Sequence, residues 1–240
     1  VYDYDPGKSL DGLPFPMLHN LMRDFPYFKQ RGVWGFWTEG QNCWMVTHLN
    51  YYVRARLMWK ANRDVRGIVR VYAMQFYGNA GKSVEEYIWT VENAVDKAPI
   101  HETFGRLVPW RTMYTPKVME TLDGLMEEAK QNAVSETEKL HVGVLDNVHQ
   151  YIRAYLAMEN AAADGDFAQA VQQADAMLKI RADLGQVDDS LIPVTPEWCS
   201  NGDGALEWHK KVYQELADKN NGAQGDLVAM TEKNWEFRTD

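Results

Sequence analysis

Cysteine is nearly absent from this sequence, because the 240 residues contain only Cys43 and Cys199. Two thiols so far apart cannot build the disulfide framework of a small secreted domain, nor a cysteine-based metal site. An ordinary hydrophobic core has to hold the fold instead, and a hydrophobic content of 45% is sufficient for one. We interpret both cysteines as buried or chemically idle thiols.

Long apolar runs and clustered basic residues are also lacking. No stretch approaches the roughly 18 consecutive apolar residues of a membrane span, and the start VYDYDPGK has no basic segment followed by an apolar one. The net charge is -9, from 34 acidic and 25 basic residues. Because nucleic-acid binding needs clustered Lys and Arg, we expect no nucleic-acid partner. Since no apolar run is long enough for a membrane span, we expect no membrane partner either. Any secretion signal lies outside this sequence.

Motifs for metals, phosphates and activated nucleophiles are missing too. His141 and His149 are eight residues apart and lack the i, i+4 spacing of a zinc helix, so we predict no metal and no cofactor. The segment GNAGKS at 78–83 lacks the first glycine of a phosphate-binding loop and follows a predicted helix where that loop follows a strand. We interpret it as a helix–helix turn.

The first forty residues have a strand–helix–strand pattern. Residues 1–4 alternate β-branched or aromatic residues with polar ones and then break at Asp5-Pro6-Gly7. Apolar residues at helical spacing follow from residue 14 and end at Gly32, which predicts a helix. The apolar run 33–37 then predicts a strand buried on both faces. Parallel sheets and (β/α)₈ barrels are built from such units.

Almost all of the chain after residue 43 has a helical pattern. Thr115-Pro116 offers an N-cap followed by proline, and the segment 135–138 (SETE) is a capping box. We predict helices at 44–60, 64–77, 83–97, 115–132, 135–160, 166–184 and 204–219. The predicted fold class is mainly α with a short parallel β element, interpreted as the last two strands of a truncated (β/α)₈ barrel followed by a helical domain.

Three segments near the amino terminus carry a resemblance to a known family: LPFPMLHNLMRDFPYFKQRGVWGFWTEG, THLNYYVRARLMWKANRDV and QFYGNAG. They resemble the domain of unknown function 4838 family, whose members look like glycoside hydrolases with a barrel related to hexosaminidases and alpha-glucuronidases. The similarity is specific between residues 13 and 81, and weaker agreement extends through YTPKVMETLDGLMEEA to the closing LVAMTEKNWEFRTD. The resemblance implies that the chain begins at barrel strand seven, with the catalytic groups upstream of residue 1.

Pattern and resemblance together divide the chain into three parts. We expect residues 1–60 to be the carboxyl-terminal end of the barrel and residues 61–219 to be a helical domain. The resemblance implies that residues 220–240 are a linker toward a β-rich module.

Glu39 and Trp37 are the first candidate sugar-binding residues. Barrel enzymes bind substrate at the carboxyl ends of their strands, and Glu39 directly follows the predicted strand 33–37. An ionised Glu accepts two sugar hydroxyls while Trp37 covers the apolar face of the ring. The run Trp37-Thr38-Glu39 also resembles the last-strand Trp-x-Glu of hexosaminidases, where the Glu holds sugar hydroxyls. The alternative is a solvated loop Glu beside a core Trp.

Asp3 and Tyr4 occupy the same position at the end of the first predicted strand. Sugar contact, or orientation of a catalytic carboxyl group, is one interpretation of the pair. The alternative is turn chemistry, which we prefer for Asp5 because Asp-Pro-Gly is a common turn former. Arg54 lies among apolar positions of a predicted helix, where a buried or semi-buried arginine paired to an acid is one interpretation. We prefer a snorkelling arginine, and we do not count Arg54 as a site residue.

These observations lead to one functional hypothesis and one alternative. The first is a fragment of a glycoside hydrolase-like protein that acts on a polysaccharide or glycoconjugate and contributes part of the sugar-binding rim. Its expected partners are carbohydrate and the amino-terminal barrel half of the same protein, in a secreted or periplasmic parent. Alone, the fragment is not expected to be active. The alternative is a non-catalytic helical binding or scaffold protein.

Overall fold

The computed structural model describes residues 1–3, 13–14, 16–38, 43–97, 110–192 and 203–220. These residues form a mainly helical protein, as the sequence predicts. The elements are β1 (Tyr2–Asp3), α1 (Leu18–Gln30), β2 (Trp37–Thr38), α2 (Trp44–Trp59), α3 (Val65–Tyr77), a 3₁₀ turn (Gly78–Ala80), α4 (Gly81–Lys97), α5 (Trp110–Met113), α6 (Pro116–Asn132), α7 (Glu136–Ala163), α8 (Phe167–Val187) and α9 (Asp203–Asn220).

Side-chain caps set the starts of the long helices. The Thr115 side chain accepts a hydrogen bond from the Val118 N–H at the start of α6, with Pro116 as the first helical residue. Ser135 and Glu138 form the predicted capping box of α7. Both predicted helix starts are therefore confirmed. They can be predicted from the sequence because capping signals are local and need no tertiary contact.

Two hydrophobic clusters lie side by side. The larger one contains buried side chains of α4 and of α6–α9, and α7 packs against α6 and α8. The smaller one joins α1, α2 and α3, with Leu21, Val53 and Val69 at its centre and Trp89 of α4 at its boundary. No helix within the described ranges is long and apolar enough to cross a membrane.

The strand pair is parallel, with Tyr2 opposite Trp37 and Asp3 opposite Thr38. Its pairing matches the prediction, but the prediction of a doubly buried strand at 33–37 is wrong. Residues 33–36 form no strand, and the Trp34 side chain is 99% exposed. Gly35 weakens strand formation, and an apolar run becomes buried only where layers cover both of its faces.

The turn between α3 and α4 depends on Gly78. Its φ of 55° lies in the left-handed region, and an added Cβ would stand 1.8 Å from Glu138 Oε1. Glu138 also accepts the Asn79 N–H, so one carboxylate caps α7 and ties it to this turn. The N–H groups of Val134, Ser135 and Asn79 donate to the Glu138 carboxylate and lower its pKa to about 2.

Replacing Gly78 by alanine should therefore destabilise the protein. We expect a loss of about 2 kcal/mol in the free energy of unfolding, because a strained backbone of this kind costs of order 1–3 kcal/mol. Gly124→Ala is the matched control, since nothing lies within 4 Å of its added Cβ in α6 and alanine favours a helix. Urea denaturation measures both variants, and equal stabilities would contradict the role given to Gly78.

Candidate functional site

The carboxyl ends of β1 and β2 are adjacent, which makes this edge the candidate site. The Trp37 N–H donates to the Val1 carbonyl over 2.8 Å and holds the two strands together. Parallel pairing brings Asp3 and Thr38, the last residues of the two strands, to the same edge of the sheet. Chain segments that are distant in sequence therefore meet where the candidate residues were predicted.

Tyr2 and Trp37 form an aromatic pair on the exposed face of this sheet, opposite to the face that α2 covers. Their ring centroids are 4.9 Å apart at an interplanar angle of 36°. Trp37 is 69% exposed and Tyr2 is 45% exposed, so Trp37 is not a core residue. An exposed indole fixed by a neighbouring ring is a surface on which an apolar ligand face can stack.

Arg54 of α2 lies beneath the opposite face of β2. Only 1% of its surface is exposed, and its Nη1 donates to Thr38 Oγ1 over 2.8 Å. Its guanidinium carbon is 5.6 Å from the Phe36 ring centroid, and its Nη2 donates to Met17 Sδ over 3.8 Å. The snorkelling interpretation is wrong, because the charged group lies inside the protein and joins α2 to β2 and to the start of α1.

The other predicted site residues are only partly covered by the structure. Glu39 and Tyr4 lie outside the described residues. Asp3 is described as the last residue of β1, but only through its backbone. The predicted roles of Glu39, Asp3 and Tyr4 therefore stay predictions, whereas the exposure of Trp37 is an observation.

Glu92 of α4 is a buried carboxyl group that the sequence did not single out. Its oxygens accept the Leu18 N–H at 3.1 and 3.0 Å and the His19 N–H at 3.5 Å. The residue before α1, Met17, supplies no side-chain cap, so Glu92 performs that function from a different helix. Burial raises the pKa of Glu92 to about 7, against the lowering effect of the N–H donors, and Asp96 adds a smaller increase.

A small cavity beside Glu92 lies between α2, α3 and α4. Its volume is about 90 Å³, and His48, Tyr72, Tyr77 and Tyr87 contribute polar groups to its lining. The Tyr72 hydroxyl is 2.6 Å from His48 Nε2, and burial lowers the pKa of His48. The space suits about three water molecules, at roughly 30 Å³ each, rather than a sugar ring.

A chain of hydrogen bonds joins α4, α6 and α7. The buried His149 bonds to the Tyr87 hydroxyl at 3.2 Å and to Asp123 Oδ1 at 2.8 Å. Arg153 donates to both oxygens of Asp123 at 2.6 Å. Burial lowers the pKa of His149, with Asp123 acting in the opposite direction. These hydrogen bonds give His149 a structural role, because it joins α7 to α4 and α6.

Metal ligands do not cluster within the part of the chain that the structure describes: no group of three or more His, Cys, Asp or Glu side chains there could hold a metal ion. Cys43 is buried, as the sequence predicts for a structural thiol. Cys199 lies outside the described residues.

Comparison with known protein families gives a match over the amino-terminal part of the chain. Residues 1–89 match the model of a family described as Domain of unknown function (DUF4838). The matched segment runs from β1 into α4 and includes the strand pair, Arg54 and the Gly78 turn. No curated protein and no solved structure matches the chain. The match supports the resemblance over this segment, and the weaker similarity after residue 89 stays a prediction.

Proposed function

We propose that β1, α1, β2 and α2 belong to a (β/α)₈ barrel in a glycoside hydrolase-like protein, and that the strand ends form part of its sugar-binding rim. The observation that carries this proposal is the parallel pairing of β1 and β2, connected through α1. Active sites of such barrels lie at the carboxyl ends of the strands. All four elements lie within residues 1–89, the segment that matches the family model.

The incompleteness of the sheet supports the barrel interpretation. A two-stranded sheet of two residues per strand is too small to be stable by itself, and parallel sheets occur with both faces covered. Tyr2 and Trp37 are nevertheless exposed on one face. Further strands and their helices, supplied by the barrel half of the same protein, would pair with the strand edges.

The chemistry of the rim supports a sugar as ligand. Trp37 presents an exposed aromatic surface, and Glu39 follows β2 by one residue in the sequence. Arg54 holds Thr38, the residue between them, by a hydrogen bond. A hydrogen-bond acceptor next to an aromatic face is the pair of groups that a pyranose ring needs. Asp3 and Tyr4 would approach from the neighbouring strand end.

On this proposal the catalytic carboxyl groups lie on strands upstream of residue 1, and the fragment alone is inactive. The substrate is a polysaccharide or glycoconjugate, and the parent protein is secreted or periplasmic. The alternative, a non-catalytic scaffold, has one observation in its favour: among the residues that the structure describes the sheet has only two strands, and a strand from a partner protein could extend it.

Glu39→Gln in the full-length protein tests the rim directly. Removing a hydrogen bond to a charged group costs about 1.5–3 kcal/mol, so we expect kcat/KM for a glycoside to fall roughly ten- to a hundredfold. The melting temperature should not change. Glu86→Gln, at an exposed position of α4, is the control and should leave kcat/KM unchanged.

Trp37→Ala separates the sugar site from the scaffold alternative. Loss of oligosaccharide binding in this variant supports the rim. Unchanged kinetics in Glu39→Gln, or loss of a protein partner with no effect on any glycoside, would contradict it.

A further inference from the structure

An open aromatic groove lies at the amino end of β2, on the side away from the proposed rim. Its volume is about 680 Å³, and it is formed by residues at the ends of α1 and α2 together with residues 33–36. The rings of Phe25, Phe28 and Phe36 form its floor, with centroid separations of 5.2, 6.2 and 6.3 Å. These rings pack on one another, and Phe25 belongs to the smaller core while Phe36 packs against it.

Two exposed indoles line this groove. Trp34 is 99% exposed and Trp59 is 89% exposed, whereas Trp89 and Trp110 are buried in the protein. Exposing two large aromatic side chains in the same groove costs free energy in water, and exposed apolar patches of this kind mark binding surfaces. Concave, mostly apolar sites of roughly 300–1,000 Å³ are typical of small-molecule binding.

The charge of the groove is opposite to that of the chain as a whole. Lys29 and Lys60 line it together with Asn62, and none of the described residues of its lining is Asp or Glu, although the net charge of the chain is -9. Within the described ranges no carboxylate pairs with either lysine. The helix dipole places about half a negative charge at each of the carboxyl ends of α1 and α2. The two full positive charges of Lys29 and Lys60 exceed this, so the groove is positive.

We propose that this groove binds an anionic polysaccharide, with carboxylate or sulfate groups on its sugar rings. The indoles of Trp34 and Trp59 cover the apolar C–H faces of the rings, and the two ammonium groups pair with the anions. A groove suits an elongated chain better than a flat lipid surface. The site is separate from the rim, and it does not require the chain to be part of an enzyme.

Titration of the whole chain with defined oligosaccharides tests this site. The probes are an oligogalacturonide for carboxylate, a dextran sulfate for sulfate and a neutral malto-oligosaccharide of matched length, each followed by calorimetry. We expect binding of at least one anionic probe, weakening with salt because exposed charges are screened, and no binding of the neutral one. Trp34→Ala, Trp59→Ala and the Lys29→Gln/Lys60→Gln pair should each raise Kd at least tenfold.

Matched controls separate this groove from the rim and from general surface effects. Trp208→Ala changes an indole on α9 that is 49% exposed and lies outside the groove, so its Kd should equal that of the unmodified chain. Glu39→Gln should also leave this binding intact. Loss of binding in Glu39→Gln with retention in the groove variants would move the ligand to the rim and overturn the groove site.

Three further outcomes would overturn the proposal. The first is equal affinity for the neutral and the anionic probes. The second is no measurable binding of either anion. In the third, the unmodified chain binds anionic lipid vesicles or self-associates but binds no oligosaccharide. Trp34→Ala and Trp59→Ala then abolish the vesicle binding or the self-association.

Discussion

Arg54→Ala should destabilise the protein by about 3 to 5 kcal/mol, the range for truncating a large buried side chain to alanine. The guanidinium is buried between α2, Thr38 and Met17, so the substitution leaves a cavity and removes the hydrogen bond to Thr38. The strand pair should loosen with it. Urea denaturation measures the loss of stability, and faster hydrogen exchange of the Trp37 amide, which bonds to Val1, measures the loosening.

Arg56→Ala is the matched control for this prediction. Arg56 lies two residues further along α2, is exposed, and stacks on Tyr52 with its Nη2 bonded to the Tyr52 hydroxyl at 3.0 Å. We expect a change within about 0.5 kcal/mol, as for most surface substitutions. Equal effects of the two substitutions would show that burial of Arg54 does not matter.

A second variant separates packing from hydrogen bonding. Arg54→Met retains most of the buried volume but cannot donate to Thr38. If the cavity causes the whole loss, methionine should restore most of the stability and the slow exchange of the Trp37 amide. If the hydrogen bond holds the strand end, the Trp37 amide should exchange rapidly in both variants.

The helices could be predicted closely because their signals are local. The Thr115 cap, the Ser135 capping box and the 3.6-residue spacing depend on neighbours in the sequence. The predicted helix 64–77 corresponds to α3 (Val65–Tyr77), one residue shorter at its start. Tertiary packing did not have to be known for these elements.

The environment of residues 33–37 could not be predicted in the same way. A short apolar run fits a buried strand, a loop over a groove, or a helix segment equally well. Its burial depends on layers that other parts of the protein supply, and here Trp34 is exposed while Phe36 packs on Phe25. The pattern therefore gave the parallel pairing correctly and the burial incorrectly.

The buried charges Arg54 and Glu92 left a weaker signal in the sequence. Arg54 shares a helical face with Thr47, Asn50 and Leu57, all of which are buried. Glu92 follows Val84 and Ile88 at steps of four on α4. A charged residue on an apolar stripe indicates burial only when partners exist to hydrogen-bond it, and those partners come from elements distant in sequence.

The pH dependence of stability should reveal Glu92. Its pKa is raised by burial from 4.5 to about 7, so the folded state favours the protonated carboxyl group. For an acid with a raised pKa, the associated stability is fully present below pH 4.5 and is lost as the pH rises through 7. Since one pKa unit corresponds to about 1.36 kcal/mol, the loss between pH 5 and pH 8 should be about 2 to 3 kcal/mol.

Glu92→Gln removes this titration while keeping the size and one acceptor oxygen of the side chain. We therefore expect the stability of the unmodified protein relative to Glu92→Gln, measured by urea denaturation at each pH, to fall by about 2 to 3 kcal/mol from pH 5 to pH 8. Glu86→Gln, on the exposed face of the same helix, should show no such slope. A difference that grows as the pH rises would show that the α1 amides hold the carboxylate in its ionised form, and one that stays constant would show that folding leaves the pKa of Glu92 unchanged; either result would contradict the prediction.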